Sequence, residues 1–324
     1  MRKIIVTGFS GFVSRHFLDY LYESHIEARV LGLDIAEPRF DLTPYQDRLS
    51  ISFRSVNLME EESVTEILQE FSPDEILHLA AFSSVSYSWR HPGDCFHNNT
   101  RVFLSVAEAV RKLHLPTRIL SVGSSEVYGN VEEGALPLRE DYPIHPLSPY
   151  AIARQAQEQL SQVYTEHFGV NLVLTRSFNH IGPRQDERFV IPSFISRALA
   201  VKASGKKEGS IETGDISLTR DFLDVRDVVR AYDCLLQQGK AGQVYNVCSG
   251  TERPLSALLL EIGDILGIRL EGKVNPDLVR PDDNRRVVGA NERIRQDTGW
   301  EPWIPLRQTL EDMIHYMESV KSNQ

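Results

Sequence analysis

KIIVTGFSGFVS, residues 3–14, decides the fold. A short β-branched run, Ile4 to Thr7, leads straight into a turn with glycines at 8 and 11 and then into an apolar stretch with helical spacing. Glycines there let the backbone turn tightly and approach a pyrophosphate whose charge sits at a helix N-terminus. A plain strand–turn–helix uses the same glycines, so the turn alone is a weak signal. What strengthens it is ARVLGLD, residues 28–34, a second strand pattern ending in Asp34. A carboxylate about 20 residues after such a turn accepts hydrogen bonds from a ribose 2′-hydroxyl. Asp34 favours NAD(H), because it would repel a 2′-phosphate; NADP(H) stays as the alternative.

Outward from this unit, SISFRSV, EILHLAA, TRILSVGSS and NLVLTRSF repeat the strand pattern, with helical spacing over 60–71 and 100–113 between them. Strands alternating with amphipathic stretches predict a Rossmann-type, doubly wound parallel sheet of the α/β class. Ligands in such sheets bind beyond the carboxyl ends of the strands. After residue 180 the pattern changes to GPRQDERFVIP, a helix, a strand at GSIETG, then RDFLDVRDVVRAY, a last core strand at QVYNVCSG, and a turn and closing helix in TGWEPWIPLRQTLEDMIHYM. The expected division is a dinucleotide-binding domain over 1–178 and 215–247, with a smaller interleaved C-terminal substrate lobe over 179–214 and 248–324. No period of 20 to 50 residues repeats.

The 324 residues are 41% apolar with a net charge of −10, enough for a sizeable core and more than one lobe. The acidic balance argues against nucleic acid or an anionic membrane as the main partner, though local cations can still hold a small phosphate-bearing molecule. Apolar runs such as LHLAA are too short to span a bilayer, and MRKIIVTGF lacks a signal-peptide pattern, so a cytoplasmic location is expected. Cys95, Cys234 and Cys248 are widely spaced, without CxxC or paired histidines, and point to neither disulfides nor metal.

SPYAIAR, residues 148–154, places Tyr150 and Arg154 one helical turn apart. A phenol titrates near pH 10, so acid–base work near neutrality calls for a nearby cation, which Arg154 supplies. Ser124, at the end of TRILSVGSS, can hydrogen-bond a carbonyl or hydroxyl held beside Tyr150. Alone, a Tyr-x3-Arg pair is ordinary helix decoration; the serine at a strand end and the dinucleotide turn upstream make it a candidate site.

TGxxGF at the N-terminus, HLAA, SSEVYG, SPY, RSFNHIGP, RDFLDVRD and YNVCSG together resemble the extended short-chain dehydrogenases/reductases that act on nucleotide sugars. Within them, SSVSYSW, SSE, FNHIGPRQ, FVIPSF and the RP pair at 280–281 look most like GDP-4-keto-6-deoxy-D-mannose reductases, with GDP-mannose 4,6-dehydratases as near neighbours. The resemblance implies catalytic roles for Ser124, Tyr150 and Arg154, with Glu126 on the position of the dehydratase glutamate. It implies cofactor contacts for Gly8, Gly11, Phe12, Asp34, Asn57, Leu58, Leu79, Ala80, Ala81, Tyr150 and Arg154, with His78 lining the same pocket. A GDP-sugar would be met by Ser125, Asn179, Val190, Lys202, Arg220, Arg280 and Asp283, and a homodimer would form through the 100–113 and 150–167 helices.

The chain departs from this pattern at four places. Ser14 stands on the third glycine and Asn57 on an aspartate near the adenine amine, changes expected to weaken cofactor binding. Val102 and Phe103 replace a Gly-Thr pair. Arg154 replaces lysine, keeping the charge but losing the ability to pass a proton on. The leading expectation is reduction of a GDP-4-keto-6-deoxyhexose. A 4,6-dehydratase, an NDP-sugar epimerase and a non-catalytic nucleotide-sugar-binding protein are the alternatives.

Overall fold

In the computed structural model, which describes residues 1–279 and 284–322, Ile4, Ile5 and Val6 have no exposed surface. Their strand, β1 (Arg2–Thr7), has a neighbour on each side and helices over both faces. That is why it reads as a continuous apolar run rather than an alternating one. The chain continues through α1 (Phe12–Glu23), β2 (Ala28–Asp34), β3 (Leu49–Ser55), α2 (Glu61–Phe71), β4 (Glu75–His78), α3 (Val85–Arg90), α4 (Pro92–Lys112), β5 (Arg118–Ser124), α5 (Pro149–Phe168) and β6 (Leu172–Ser177). Then come β7 (Asn179–Ile181), α6 (Val190–Ala203), β8 (Glu208–Thr213), β9 (Thr219–Asp224), α7 (Val225–Gln238) and β10 (Val244–Val247). The last elements are β11 (Glu252–Pro254), α8 (Leu255–Leu266), β12 (Arg269–Val274), α9 (Glu292–Thr298) and α10 (Leu306–Ser322).

Among the described residues, seven parallel strands form the main sheet in the order β10-β6-β5-β4-β1-β2-β3. The order reverses at β1, so a crevice opens between the carboxyl ends of β1 and β4, where this class of sheet takes its ligand. One face is filled by Phe17, Leu21, Val228 and Tyr232 from α1 and α7. The other is filled by Ile67, Phe103, Val106 and Tyr164 from α2, α4 and α5.

The second lobe has its own core, in which Ile191, Ile195, Leu258 and Leu310 of α6, α8 and α10 are buried around the β8–β12 pair. The two lobes interleave more finely than the sequence suggests. β9 pairs with β7 and β11 in a small separate sheet, outside the main one. The stretch through α9, expected with the second lobe, packs on the first. Ile294 and Trp300 are buried in its core, and the Trp300 indole N–H donates to the carbonyl of Asp227 at 3.1 Å. No helix among the described residues is long and apolar enough to cross a membrane.

Candidate active site

The turn after β1 has the backbone that a pyrophosphate needs. Gly8 sits at φ +69°, and a Cβ added there would stand 2.9 Å from the Ala80 nitrogen. Gly11 is the N-cap of α1, with no side chain over the helix's free N–H groups. Ser14 stands where the third glycine of the pattern would. It is fully buried, and its hydroxyl lies on the carbonyls of Phe9 and Gly11, tying the first helical turn to the glycine loop. At the end of β2 the Asp34 carboxylate accepts from the Ser10 N–H at 2.9 Å and the Ile35 N–H at 2.7 Å. These residues fit a dinucleotide: bare amides for its phosphates and a fixed acceptor for a ribose.

A hollow of about 520 Å³ lies beyond β2 and β3, lined by Ile35, Ser55, Val56, Asn57 and Ile67. Asn57 is exposed there, but its side chain is committed locally, accepting from Met59 N at 3.1 Å and donating to Glu60 at 3.2 Å. Leu58, beside it, is buried in the core under α2. The hollow is well removed from Tyr150: β2 and β5 are three strand spacings apart, about 14 Å. Phe12, the first residue of α1, is partly buried, its ring parallel to that of His180 with centroids 6.4 Å apart.

Below the crevice, β4 ends at His78. The Thr7 hydroxyl oxygen accepts from the N–H groups of Leu79 and Ala80, both at 3.2 Å, so its one proton goes to His78 Nδ1 at 3.0 Å. That puts the ring's own proton on Nε2, which is buried without a partner among the described residues. Burial, and after it the charge of Arg154, lowers the imidazole to about 3, so the ring stays neutral. Phe103 presses on it edge to face at 5.9 Å, filling the space opposite β4. Ala81 follows at the half-buried crevice rim.

Across the crevice, Ser148 caps α5 by accepting from the Ala151 N–H at 3.1 Å, and Pro149 takes the first helical position. Tyr150 and Arg154 therefore fall on the inward face, 7% and 5% exposed. Arg154 Nε donates to the Tyr150 hydroxyl at 3.2 Å. Its Nη1 donates to the Val122 carbonyl at 3.1 Å and to Gln157 Oε1 at 2.8 Å. Ser124, at the end of β5, accepts from the Glu126 N–H at 3.2 Å, which leaves its own proton for another acceptor. Ser125 and Glu126 open the short turn that follows, with Glu126 exposed at the rim.

The residues expected to meet a GDP-sugar are not all gathered. Asn179, at the start of β7, and Val190, the first residue of α6, are both exposed. Lys202 is twelve residues further along α6, about 18 Å away at the helical rise. Its ammonium pairs with Glu318 of α10 at 2.9 Å. Arg220 Nη1 donates to the carbonyls of Thr219 and Asn284 at 2.7 and 2.8 Å, holding the returning chain against β9. Arg280 and Asp283 lie outside the described residues.

The sequence reading missed Gln157, Ser161 and Ser121. Gln157 Nε2 donates to the Ser121 hydroxyl at 2.9 Å, and Ser161 is 3.2 Å from the same hydroxyl. A signal was present: Tyr150, Arg154, Gln157 and Ser161 stand at i, i+4, i+7 and i+11, a polar stripe along one helix face.

Comparison with known proteins gives the family. The family model described as GDP-mannose 4,6 dehydratase matches residues 5–313. The GDP-6-deoxy-D-mannose reductase of Pseudomonas aeruginosa is 35% identical over 318 residues, covering 98% of either chain. The solved structure of RMD from Pseudomonas aeruginosa complexed with NADPH superposes with a TM-score of 0.84 at 32% identity, covering 99% of this chain and 100% of that one. UDP-glucose 4-epimerase of Thermotoga maritima, solved with UDP-glucose, gives 0.86 at 27% identity, covering 98% and 99%. With a dinucleotide turn at β1, a tyrosine–arginine pair across the crevice and a match over nearly its full length, the chain belongs to the GDP-mannose 4,6 dehydratase family of extended short-chain dehydrogenases/reductases.

Proposed function

We propose that the protein reduces the 4-keto group of a GDP-4-keto-6-deoxyhexose, giving a GDP-6-deoxyhexose of the GDP-rhamnose type. The observation that carries this reading is the buried Tyr150 hydroxyl, held by Arg154 Nε at the crevice beside the end of β5. When bound, reduced nicotinamide supplies the hydride. Tyr150 gives its hydroxyl proton to the keto oxygen as that oxygen gains charge, and the Ser124 hydroxyl donates to the same oxygen and orients it. Arg154 stabilises the tyrosinate left behind but keeps its own protons, so Tyr150 is reprotonated through other hydroxyls and water. Gly8, Gly11 and the start of α1 hold the pyrophosphate, Asp34 a ribose, and the hollow beside Asn57 and Leu58 the adenine. The Asp34 carboxylate favours NADH; the NADPH-bound relative supports NADPH as the alternative.

Asn179, Ser125 and the N-terminus of α6 at Val190 take the nucleotide end of the substrate, with Arg220, Arg280, Asp283 and Lys202 as further candidates. The same proposal includes a homodimer through α4 and α5, where Phe96, Ile152, Val163 and Phe168 expose 43–51% of their surface. It also includes a cytoplasmic location, where nicotinamide and nucleotide-sugar pools meet.

Glu126 at the rim favours a second reading, a 4,6-dehydratase in which its carboxylate removes and returns the C5 proton. Incubation with GDP-4-keto-6-deoxymannose and NADH or NADPH, and separately with GDP-mannose, with products identified by NMR, separates the two. The reductase consumes reduced cofactor stoichiometrically. No net change at the nicotinamide absorbance band, together with turnover of GDP-mannose, would give the reaction to the dehydratase.

A further inference from the structure

We propose that Gln157 is the positioning residue that makes arginine workable at position 154. The problem it solves is geometric. A lysine ammonium is a compact charge that serves a neighbouring phenol from any rotation about its last bond. A guanidinium is a plane with donors in fixed directions and acts on the phenol only when that plane is turned correctly. At this site Nε faces Tyr150 at 3.2 Å because Nη1 is held on the opposite side by two acceptors, Gln157 Oε1 at 2.8 Å and the Val122 carbonyl at 3.1 Å.

Gln157 can accept from Arg154 in only one of its two amide orientations, and its surroundings select that one. Its Nε2 donates to the Ser121 hydroxyl at 2.9 Å and to the Val122 carbonyl at 3.3 Å, which turns the amide oxygen towards the guanidinium. The reverse orientation would set the amide oxygen against the Val122 carbonyl. Ser161, one turn further on, donates to the Gln157 carbonyl at 2.8 Å and is 3.2 Å from Ser121. Gln157 itself is 1% exposed and touches neither lobe's surface. Among the described residues no charged side chain pairs with Arg154, and the nearby His78 is held neutral by burial, so the acceptors that orient the arginine here are neutral ones.

This inference rests on the reading of Tyr150 and Arg154 as reaction machinery, so its test carries a readout that needs no turnover. Gln157→Met keeps the volume and removes the acceptor. In ¹⁵N-arginine-labelled protein, the Arg154 Nε–H signal, assigned by its loss in Arg154→Lys, is expected to lose protection from solvent exchange in Gln157→Met. Turnover should fall about ten- to a hundredfold in kcat with KM for the GDP-sugar unchanged, as for a mispositioned catalytic contact. The alkaline limb of the pH profile should move to higher pH, which a loss of stability alone would not cause. In the Arg154→Lys background the same Gln157 substitution should cost less than threefold, because an ammonium needs no plane fixed.

An Nε–H signal and alkaline limb both unchanged in Gln157→Met would overturn the proposal. So would an equal cost in the arginine and lysine backgrounds. If the Nε–H signal responds while no variant, wild type included, reduces the keto-sugar, positioning stands and the proposed reaction falls.

Discussion

Arg154 and Lys202 are two cations the sequence marked for the same reaction, and the structure treats them oppositely. Arg154 is 5% exposed and held by a tyrosine hydroxyl, a backbone carbonyl and a glutamine amide. Lys202, with 45% of its side chain exposed, pairs with Glu318 on the surface of the second lobe. A buried cation held by neutral acceptors cannot relax into water, so its direction is part of the fold. An exposed ion pair contributes little and leaves its side chain free to move. The buried cation of the first lobe is thus fixed in direction, whereas the second lobe offers side chains that a substrate could recruit.

The largest effect should come from the buried side. Tyr150→Phe removes the hydroxyl proton while leaving the ring packed, and kcat is expected to fall by about 10² to 10⁴. Its thermal unfolding midpoint should stay close to that of the wild type. Retention of more than a tenth of the wild-type turnover would break the comparison at its strongest point.

An intermediate effect concerns stability and pH. His16 is buried in α1, its Nε2 2.9 Å from the Pro183 carbonyl, and burial lowers its ring to about 4. The folded state thus favours the neutral ring, while the unfolded chain binds a proton near pH 6.5. Stability from this group is complete above pH 6.5 and is lost as pH falls towards 4, on the order of 1–3 kcal/mol. His78 acts in the same direction, with its own loss continuing to about pH 3. His16→Gln can still donate to Pro183 but does not titrate, so urea midpoints measured from pH 7 to 4.5 should decline less steeply than in the wild type. An identical slope in both would remove His16 from the account.

The smallest effect belongs to the exposed cation. Lys202→Ala should leave stability within about 1 kcal/mol and KM for the GDP-sugar within about threefold. A tenfold rise in KM would sharpen the comparison in the other direction, by showing that the ammonium leaves Glu318 to meet the substrate's phosphates.

The features legible in sequence are those that adjacent residues determine. The strand–turn–helix at 3–14 follows from β-branched residues and two glycines, the start of α5 from Ser148 and Pro149, and the parallel sheet from apolar runs buried on both faces. Turn chemistry and period act over a few residues, so the sequence by itself determined the fold class, the dinucleotide turn and the Tyr150–Arg154 pair. Tertiary structure alone decided matters that depend on what lies across the chain. It placed α9 on the first lobe through Ile294 and Trp300, and it set Lys202 against Glu318 of α10. It also turned a polar helix stripe into a device for orienting a guanidinium, because the acceptor carbonyl of Val122 arrives from a strand 32 residues away. Hydrogen-bond direction needs two partners fixed in space, and only the packing of α5 on β5 brings those partners together.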